Sequence, residues 1–313
     1  MMKMNNNNLP QLSGKMFLTD GGLETSLIFD HGLDLPHFAS FPLILDLDHR
    51  HLIRDYCVKY IEISKKNRLG FILESPTFRS NTDWGFRLGY DHDELNSVNK
   101  ESISQLIQLK DEYEDETSPI VVSGCVGPRG DGYVVSNKMS IDEAKEYHLP
   151  QINAFKEAGA DMITCYTINY IEEAVGIALA AKECDVAAAI GFTVETNGEL
   201  PSGDTLQDGI EAVDLQSDGY PSYFMINCAH PTHFADKLKN GGQWVERIMS
   251  IRANASTKSH AELDESTSLD SGDMTEFKSG YGELKELLPN LKVVGGCCGT
   301  SHTHIESICS HWE

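Results

Sequence analysis

Residues 293–300 read Val-Val-Gly-Gly-Cys-Cys-Gly-Thr, a short apolar run that ends in two adjacent cysteines bracketed by glycines. Thiolate sulfur favours soft metal ions, zinc first among them. Two ligands on consecutive residues require a backbone that turns both sulfurs toward one point, and the flanking glycines permit such dihedral angles. Because two sulfurs do not complete a tetrahedral zinc site, this stretch predicts a third ligand elsewhere in the chain.

The candidate for the third ligand is Cys228, which ends a second apolar run at 223–227. Three cysteines from two strand ends would leave the fourth zinc position open, and an open position marks a catalytic site rather than a structural one. Structural zinc fingers also pair CxxC motifs, which this chain lacks. The alternative interpretation is that all three are buried thiols of a reduced cytosolic protein.

The composition favours a soluble cytoplasmic enzyme. The chain has 313 residues and a formal net charge of −23, which disfavours nucleic acid as a partner because phosphate binding requires basic patches. Its eight cysteines are scattered and show no compact disulfide framework. Residues 1–15 lack the apolar core of a signal peptide, and no segment is apolar and long enough to suggest a membrane span.

Eight short apolar runs alternate with longer amphipathic stretches along the chain. The runs lie at 16–19, 70–74, 119–123, 161–165, 186–193, 222–227, 247–252 and 291–295. Eight strand–helix units in a chain of this length predict a single α/β domain, a (β/α)8 or TIM barrel. The competing fold is a doubly wound sheet, which usually carries a glycine-rich phosphate loop after its first strand, and no G-x-G-x-x-G occurs here.

The prediction divides the chain into two parts. We expect residues 1–13 to form a flexible tail and residues 14–313 to form the barrel. Within the barrel, residues 255–279 are rich in Ser, Thr, Asp and Glu and are expected to form a long exposed loop after the seventh strand. The cysteine candidates then follow strands 6 and 8. Parallel barrel strands all end on one face, where barrel enzymes keep their active sites, so a zinc site is predicted there.

Five motifs, spread from residue 20 to residue 300, extend this interpretation. They are Asp20-Gly21-Gly22-Leu23-Glu24-Thr25, Gly127-Pro128, Glu173-Ala174, Asn227-Cys228 and Gly295-Gly296-Cys297-Cys298-Gly299-Thr300. Together they resemble the homocysteine S-methyltransferase family, and the last motif with its upstream Asn-Cys is the most specific. The resemblance implies a zinc-dependent barrel that passes a methyl group to a thiol without cobalamin in the same chain.

The resemblance also implies roles for individual residues. It makes Cys228, Cys297 and Cys298 the zinc ligands on which catalysis depends. It places the amino-acid end of the thiol substrate at Asp20, Gly21 and Gly22, and makes Glu24 and Asn227 further substrate-binding residues. Asn254 stands where the family often has an asparagine that helps line the site. The implied partners are a small-molecule thiol acceptor and a methyl donor, and the oligomeric state is left open.

One segment, 165–170, departs from the family pattern. The family usually carries Glu-Thr-x-Pro after the fourth strand, and its glutamate binds the substrate ammonium; here Tyr166 stands at the glutamate position and Asn169 at the proline position. A phenol cannot neutralise an ammonium at pH 7, because its pKa is about 10. We therefore expect another carboxylate to serve. Glu195 is favoured because the fifth strand neighbours the fourth, Glu74 is the second choice, and either could instead be a capping or turn residue.

The implied reaction is methyl transfer from an onium donor to the thiol of homocysteine, which forms methionine. S-methylmethionine, S-adenosylmethionine and betaine all remain candidate donors. Aromatic rings attract such cations, and the candidates are Phe78, Trp84, Tyr133 and Tyr166. The histidines near the cysteines are expected to lie at the surface or behind the metal ligands; they are His230, His233, His302 and His304.

Two other functions remain open at this point. Because Tyr166 replaces a substrate-binding glutamate, the chain could act on another thiol or be a zinc-containing binding protein without catalysis. Cys297 and Cys298 could instead form a dithiol redox switch, although vicinal cysteines form only a strained disulfide.

Overall fold

The structure, a computed structural model, describes residues 9–239, 241–264 and 268–312. Its parallel strands close into a barrel in chain order, with the first strand paired to both the second and the eighth. Each predicted apolar run overlaps one strand, which confirms the (β/α)8 fold. The strands are β1 (Phe17–Leu18), β2 (Gly70–Glu74), β3 (Ile120–Val126), β4 (Met162–Ile168), β5 (Ala187–Phe192), β6 (Tyr223–Asn227), β7 (Ile248–Ala253) and β8 (Val293–Gly296).

The helices surround the barrel and bury one apolar face each against it. In the helix after β4, for example, Ala174, Val175 and Ala178 are fully buried. The helices are α1 (Leu23–Phe29), α2 (Arg50–Lys66), α3 (Thr82–Arg87), α4 (His92–Tyr113), α5 (Ile141–Ala158), α6 (Ile171–Glu183), α7 (Leu206–Ser217), α8 (Pro231–Leu238), α9 (His260–Asp264), α10 (Met274–Leu287) and α11 (His302–Cys309). No helix of the described ranges combines the length and apolarity that crossing a membrane requires.

The barrel is filled at its N-terminal end and is a packed core rather than a pore. Apolar side chains from β1 to β6 and from β8 meet there in one cluster, which Leu9 joins from outside the strands. Gln11 is completely buried beside them and its Nε2 donates to Sδ of Met162 at 3.2 Å. Residues 9–13, which were expected to belong to a flexible tail, therefore include two side chains, Leu9 and Gln11, that are buried against the barrel. Residues 1–8 of that predicted tail lie outside the described part.

The segment 255–279 also differs from the long exposed loop that was expected. It contains α9 and the first turn of α10, and both Ala255 and His260 are buried. Its polar side chains form local hydrogen bonds and ion pairs, such as the contacts of Asp270 with the Ser256 hydroxyl at 3.0 Å and with Lys258 at 2.8 Å. The low apolar content of this segment therefore accompanies local hydrogen bonds and ion pairs rather than an irregular loop throughout. Residues 265–267 lie outside the described ranges.

Candidate metal and substrate site

A cavity of about 490 Å³ lies at the C-terminal face of the barrel. It is lined by residues at or just after the ends of all strands except β5, together with residues of the loops above them. Active sites of barrel enzymes occupy this face because the loops there are free to vary while the strands hold them rigidly. The position of the cavity therefore makes it the candidate active site of this chain.

The three predicted cysteines converge on the wall of this cavity. The sulfurs of Cys228, Cys297 and Cys298 all lie within 4.8 Å of one another, and within the described ranges they are the only group of potential ligands close enough to hold a metal. In a tetrahedral zinc site with Zn–S bonds of about 2.3 Å, the sulfurs stand roughly 3.8 Å apart. The three cysteine side chains would therefore need only small movements to bind the ion. The structure joins Cys228 to Cys297 by a disulfide, with 5.5 Å between their Cα atoms, so metal binding requires both thiols to be reduced.

Backbone hydrogen bonds to β7 bring the cysteines together. The amide of Cys228 donates to the carbonyl of Arg252 at 3.1 Å, and the amide of Cys297 donates to the carbonyl of the next residue, Ala253, at 2.9 Å. Cys228 adopts a left-handed conformation with φ of 53°, which is rare for a residue with a side chain and concentrates strain at the site. On the other side, a Cβ on Gly296 would collide with the Thr300 side chain, which explains the glycine there.

A stacked pair of rings, Tyr133 and His260, lies beside the cysteines. Their centroids are 3.9 Å apart, and the Tyr133 hydroxyl is 3.8 Å from Sγ of Cys298. Nε2 of His260 is 2.6 Å from the carbonyl oxygen of Cys228, which makes Nε2 the donor of that hydrogen bond. His260 was not singled out from the sequence, because it falls in the segment expected to be an exposed loop.

The carboxylate favoured from the sequence, Glu195, lies outside the cavity lining. Its Oε1 is 3.4 Å from Nδ1 of His260, so it stands behind that ring. Asn254 is also outside the lining, although it is buried. The remaining predicted substrate-binding residues do line the cavity: Asp20, Gly21, Gly22, Glu24, Glu74, Tyr166 and Asn227. So do all four aromatic candidates, Phe78, Trp84, Tyr133 and Tyr166.

The wall of the cavity holds a buried cluster of charges around Arg252. This guanidinium pairs with the Asp20 carboxylate at 2.6 Å and donates to the Tyr166 hydroxyl and to the carbonyl of Gly21, both at 2.9 Å. The Tyr166 hydroxyl in turn donates to Oε1 of Glu74 at 2.8 Å. Sequence reasoning missed Arg252, yet a signal existed, because it is a charged residue at the end of an apolar strand run.

Burial makes the acids of this wall weaker than usual. It raises the pKa of Glu74 to about 7, although Arg252 and the Tyr166 hydroxyl oppose the rise. Burial likewise raises the pKa of Asp20, against the attraction of Arg252, and the pKa of Glu24. The second oxygen of Glu74, Oε2, is buried with no hydrogen-bond partner.

Asn227 has a structural position within the cavity wall. Its Oδ1 accepts from the backbone amide of Thr167 and its Nδ2 donates to the Thr167 hydroxyl, both at 2.9 Å, so it ties β6 to β4. The adjacent histidines make other contacts: His230 caps α8, and burial lowers its pKa to about 4. His233 and His304 bond to backbone carbonyls, consistent with positions away from the metal ligands.

A cavity at the C-terminal face of a (β/α)8 barrel, walled by converging thiols and buried acids, has the features of a barrel enzyme. Residues 17–312 match the family model described as homocysteine S-methyltransferase. The chain belongs to the homocysteine S-methyltransferase family and is a methyltransferase.

Known relatives and solved structures agree with this membership. The chain is 21% identical to homocysteine S-methyltransferase 1 of Arabidopsis thaliana, over 94% of this chain and 93% of that protein. It is 25% identical to the homocysteine S-methyltransferase YbgG of Bacillus subtilis, over 68% of each. The metallated form of the homocysteine methyltransferase MmuM from Escherichia coli has the same fold, with a TM-score of 0.73 at 16% identity, over 95% of this chain and 96% of MmuM.

The raised pKa of Glu74 predicts a specific pH dependence of stability. Because the folded pKa of about 7 exceeds the ordinary value of 4.5, the neutral carboxyl is favoured in the fold, and its stabilising contribution is lost as pH rises from about 4.5 to about 7. We expect the free energy of unfolding of the wild type to fall across this window relative to that of Glu74→Gln. Urea unfolding of both proteins at a series of pH values measures this, and parallel profiles would contradict it.

Proposed function

We propose that the chain transfers a methyl group from an onium donor to the thiol of homocysteine, with zinc held by Cys228, Cys297 and Cys298. The observation that carries the proposal is the convergence of three cysteine sulfurs within 4.8 Å at the wall of an acidic cavity. Three sulfurs leave a tetrahedral ion one position for a substrate. Zinc bound there would keep the acceptor deprotonated at neutral pH, since a coordinating thiol loses its proton.

The buried acids give the acceptor's ammonium a place to bind. Asp20 is already paired with Arg252, whereas Glu74 has one oxygen without a partner. An ammonium beside Glu74 would favour the ionised carboxylate and lower its raised pKa. We therefore assign to Glu74 the role that sequence reasoning gave to Glu195. The aromatic ring of Tyr133, which lines the cavity, is suited to attract the cationic donor.

The transfer itself needs few groups from the protein. The acceptor sulfur forms a bond to the methyl carbon while the bond from that carbon to the onium centre breaks. The donor leaves as a neutral molecule, and the proton of the acceptor thiol goes to solvent. No general acid is required, so the cavity contributes mainly by aligning the two substrates, an effect worth up to about 7–11 kcal/mol.

The metal assignment predicts about one zinc per chain in reduced protein. The double variant Cys297→Ala/Cys298→Ala should lose zinc and activity together, because one remaining thiol does not hold the ion. Elemental analysis after dialysis in the presence of a reductant measures the zinc content. We expect the variant to remain folded, since its strands are held by an already packed barrel.

His230→Ala is the control for this experiment. His230 lies two residues from Cys228, yet its Nδ1 contacts Thr232 at 2.8 Å at the start of α8. The variant should keep its zinc. Full zinc occupancy in the double cysteine variant, or loss of zinc from His230→Ala, would contradict the ligand assignment.

The ammonium assignment predicts that Glu74→Gln raises the KM for homocysteine by about 30-fold or more, because truncating one partner of a buried charge pair typically costs roughly 2–5 kcal/mol. The KM for the donor should change much less. Glu195→Gln is the matched control and should leave both constants near the wild-type values, because Glu195 lies behind His260. Steady-state kinetics with each substrate varied in turn measures these effects.

Two outcomes would contradict the assignment. A large effect of Glu195→Gln without one of Glu74→Gln would place the ammonium at the end of β5. Absence of methyl transfer to homocysteine in the wild type, with transfer to another thiol that neither variant affects, would indicate an acceptor thiol without an α-amino group. The Asp20–Arg252 ion pair favours that second candidate function, because it already neutralises one carboxylate of the wall.

A further inference from the structure

A second arginine, Arg79, lies in the cavity lining and has a different environment from Arg252. Its side chain follows β2 and the residue is only 8% exposed. The guanidinium carbon lies 4.1 Å from the ring centroid of Trp84 and 4.8 Å from that of Phe78. Nη1 donates to the carbonyl of Gly130 at 2.9 Å, while Nε is buried without a hydrogen-bond partner.

Arg79 takes part in none of the ion pairs formed by the described residues, whereas Arg252 pairs with Asp20 and donates to three oxygens. Burial lowers the pKa of Arg79, and the negative charges of Asp131 and Glu24 only partly oppose that change. A buried charge without a partner is costly, and a ligand anion would remove that cost. The planar guanidinium matches a carboxylate with two parallel hydrogen bonds.

The position of Arg79 indicates which substrate supplies that carboxylate. Trp84, on which Arg79 stacks, also contacts the exposed ring of His37, with 5.6 Å between the centroids. This wall therefore reaches the solvent side of the cavity. The acceptor's ammonium, by contrast, was assigned to Glu74 within the buried cluster around Arg252. The two ends of the cavity are thus suited to different substrates.

We infer that Arg79 binds the carboxylate of the methyl donor and thereby determines the preference for onium donors that carry a carboxylate over those that lack one. This inference rests on the proposed methyl transfer. It adds a residue that determines donor specificity to that proposal, because S-methylmethionine, S-adenosylmethionine and betaine all carry a carboxylate, whereas simple sulfonium or ammonium ions would leave Arg79 unpaired. Acidic neighbours such as Asp131 and Glu24 attract the onium charge, and Arg79 provides the cationic group that fixes the orientation of the donor.

The test compares two donors on zinc-loaded wild type, Arg79→Gln and Arg79→Lys. The donors are S-methyl-L-methionine and its decarboxylated analogue, (3-aminopropyl)dimethylsulfonium. We expect Arg79→Gln to raise the KM for S-methyl-L-methionine by about 30-fold or more with little change in kcat. The KM for the decarboxylated donor should not change. Arg79→Lys keeps the positive charge but not the two parallel N–H donors of the guanidinium. Its KM for S-methyl-L-methionine should therefore lie between those of the wild type and Arg79→Gln.

Arg87→Gln is the matched control. Arg87 also lies over the Trp84 ring, at 4.4 Å, but it is exposed and is not part of the cavity lining. This variant should leave the constants for both donors unchanged. Thermal melts and zinc content verify that each variant is folded and loaded, and the decarboxylated donor serves as an internal control for general damage to the site.

Three results would overturn the inference. Arg79→Gln could raise the KM for both donors equally, which would make Arg79 a structural support for the loop that holds Gly130. The effect of Arg79→Gln could instead depend on the acceptor and appear with homocysteine but not with 3-aminopropane-1-thiol. That result would place the acceptor's carboxylate at Arg79. Unaltered kinetics in a variant that still transfers methyl groups would remove Arg79 from the binding site. Absence of transfer in the wild type with every onium donor would instead refute the proposed function itself.

Discussion

The site depends on the closure of the barrel, which fixes β7 between β6 and β8. Adjacent carbonyls of β7, those of Arg252 and Ala253, accept from the amides of Cys228 and Cys297. These residues belong to segments far apart in the chain, and only the pairing of both strands with β7 brings their sulfurs to one point. The spacing of the thiols is therefore a property of the sheet, and it does not depend on the more variable loops above it.

Arg252 couples this backbone arrangement to the substrate cavity. Its carbonyl holds Cys228, while its side chain donates to the carbonyl of Gly296, at 2.8 Å, next to Cys297. The same side chain pairs with Asp20 after β1 and reaches Tyr166 on β4. One buried cation thus connects both cysteine segments with the acids of the wall. Tyr166, which stands at the family's glutamate position, accepts a hydrogen bond from Arg252 and donates one to Glu74.

The strands and the cysteines could be predicted from the sequence because their physical signals are local. Barrel strands are buried on both faces, so they appear in the sequence as continuous apolar runs. Adjacent cysteines between glycines have few functions other than metal binding. Which of the two candidate carboxylates, Glu195 or Glu74, lines the cavity could not be decided in this way. Glu195 comes three residues after the last residue of β5, so its direction is set by a turn rather than by the alternation of a strand. Glu74 is the last residue of β2, which directs its side chain into the cavity.

The contributions of Arg79, His260 and residues 9–13 were missed for a related reason. Each occupies a segment with little apolar pattern, and its role comes from contacts with distant residues. Gln11 contacts Met162, and His260 contacts Cys228. Polar side chains that are buried by tertiary contacts leave no periodic signal in the chain, so sequence patterns place the scaffold well and the polar lining poorly.

Methyl transfer to a thiol at the three-cysteine site can be followed with a labelled methyl group. Reduced, zinc-loaded protein would be incubated with homocysteine and deuterium-labelled S-methylmethionine, S-adenosylmethionine or betaine, and the products analysed by mass spectrometry. We expect labelled methionine from at least one donor and none from the Cys297→Ala/Cys298→Ala variant. Labelled methionine formed equally fast by that variant, or by neither protein with any donor, would contradict this expectation.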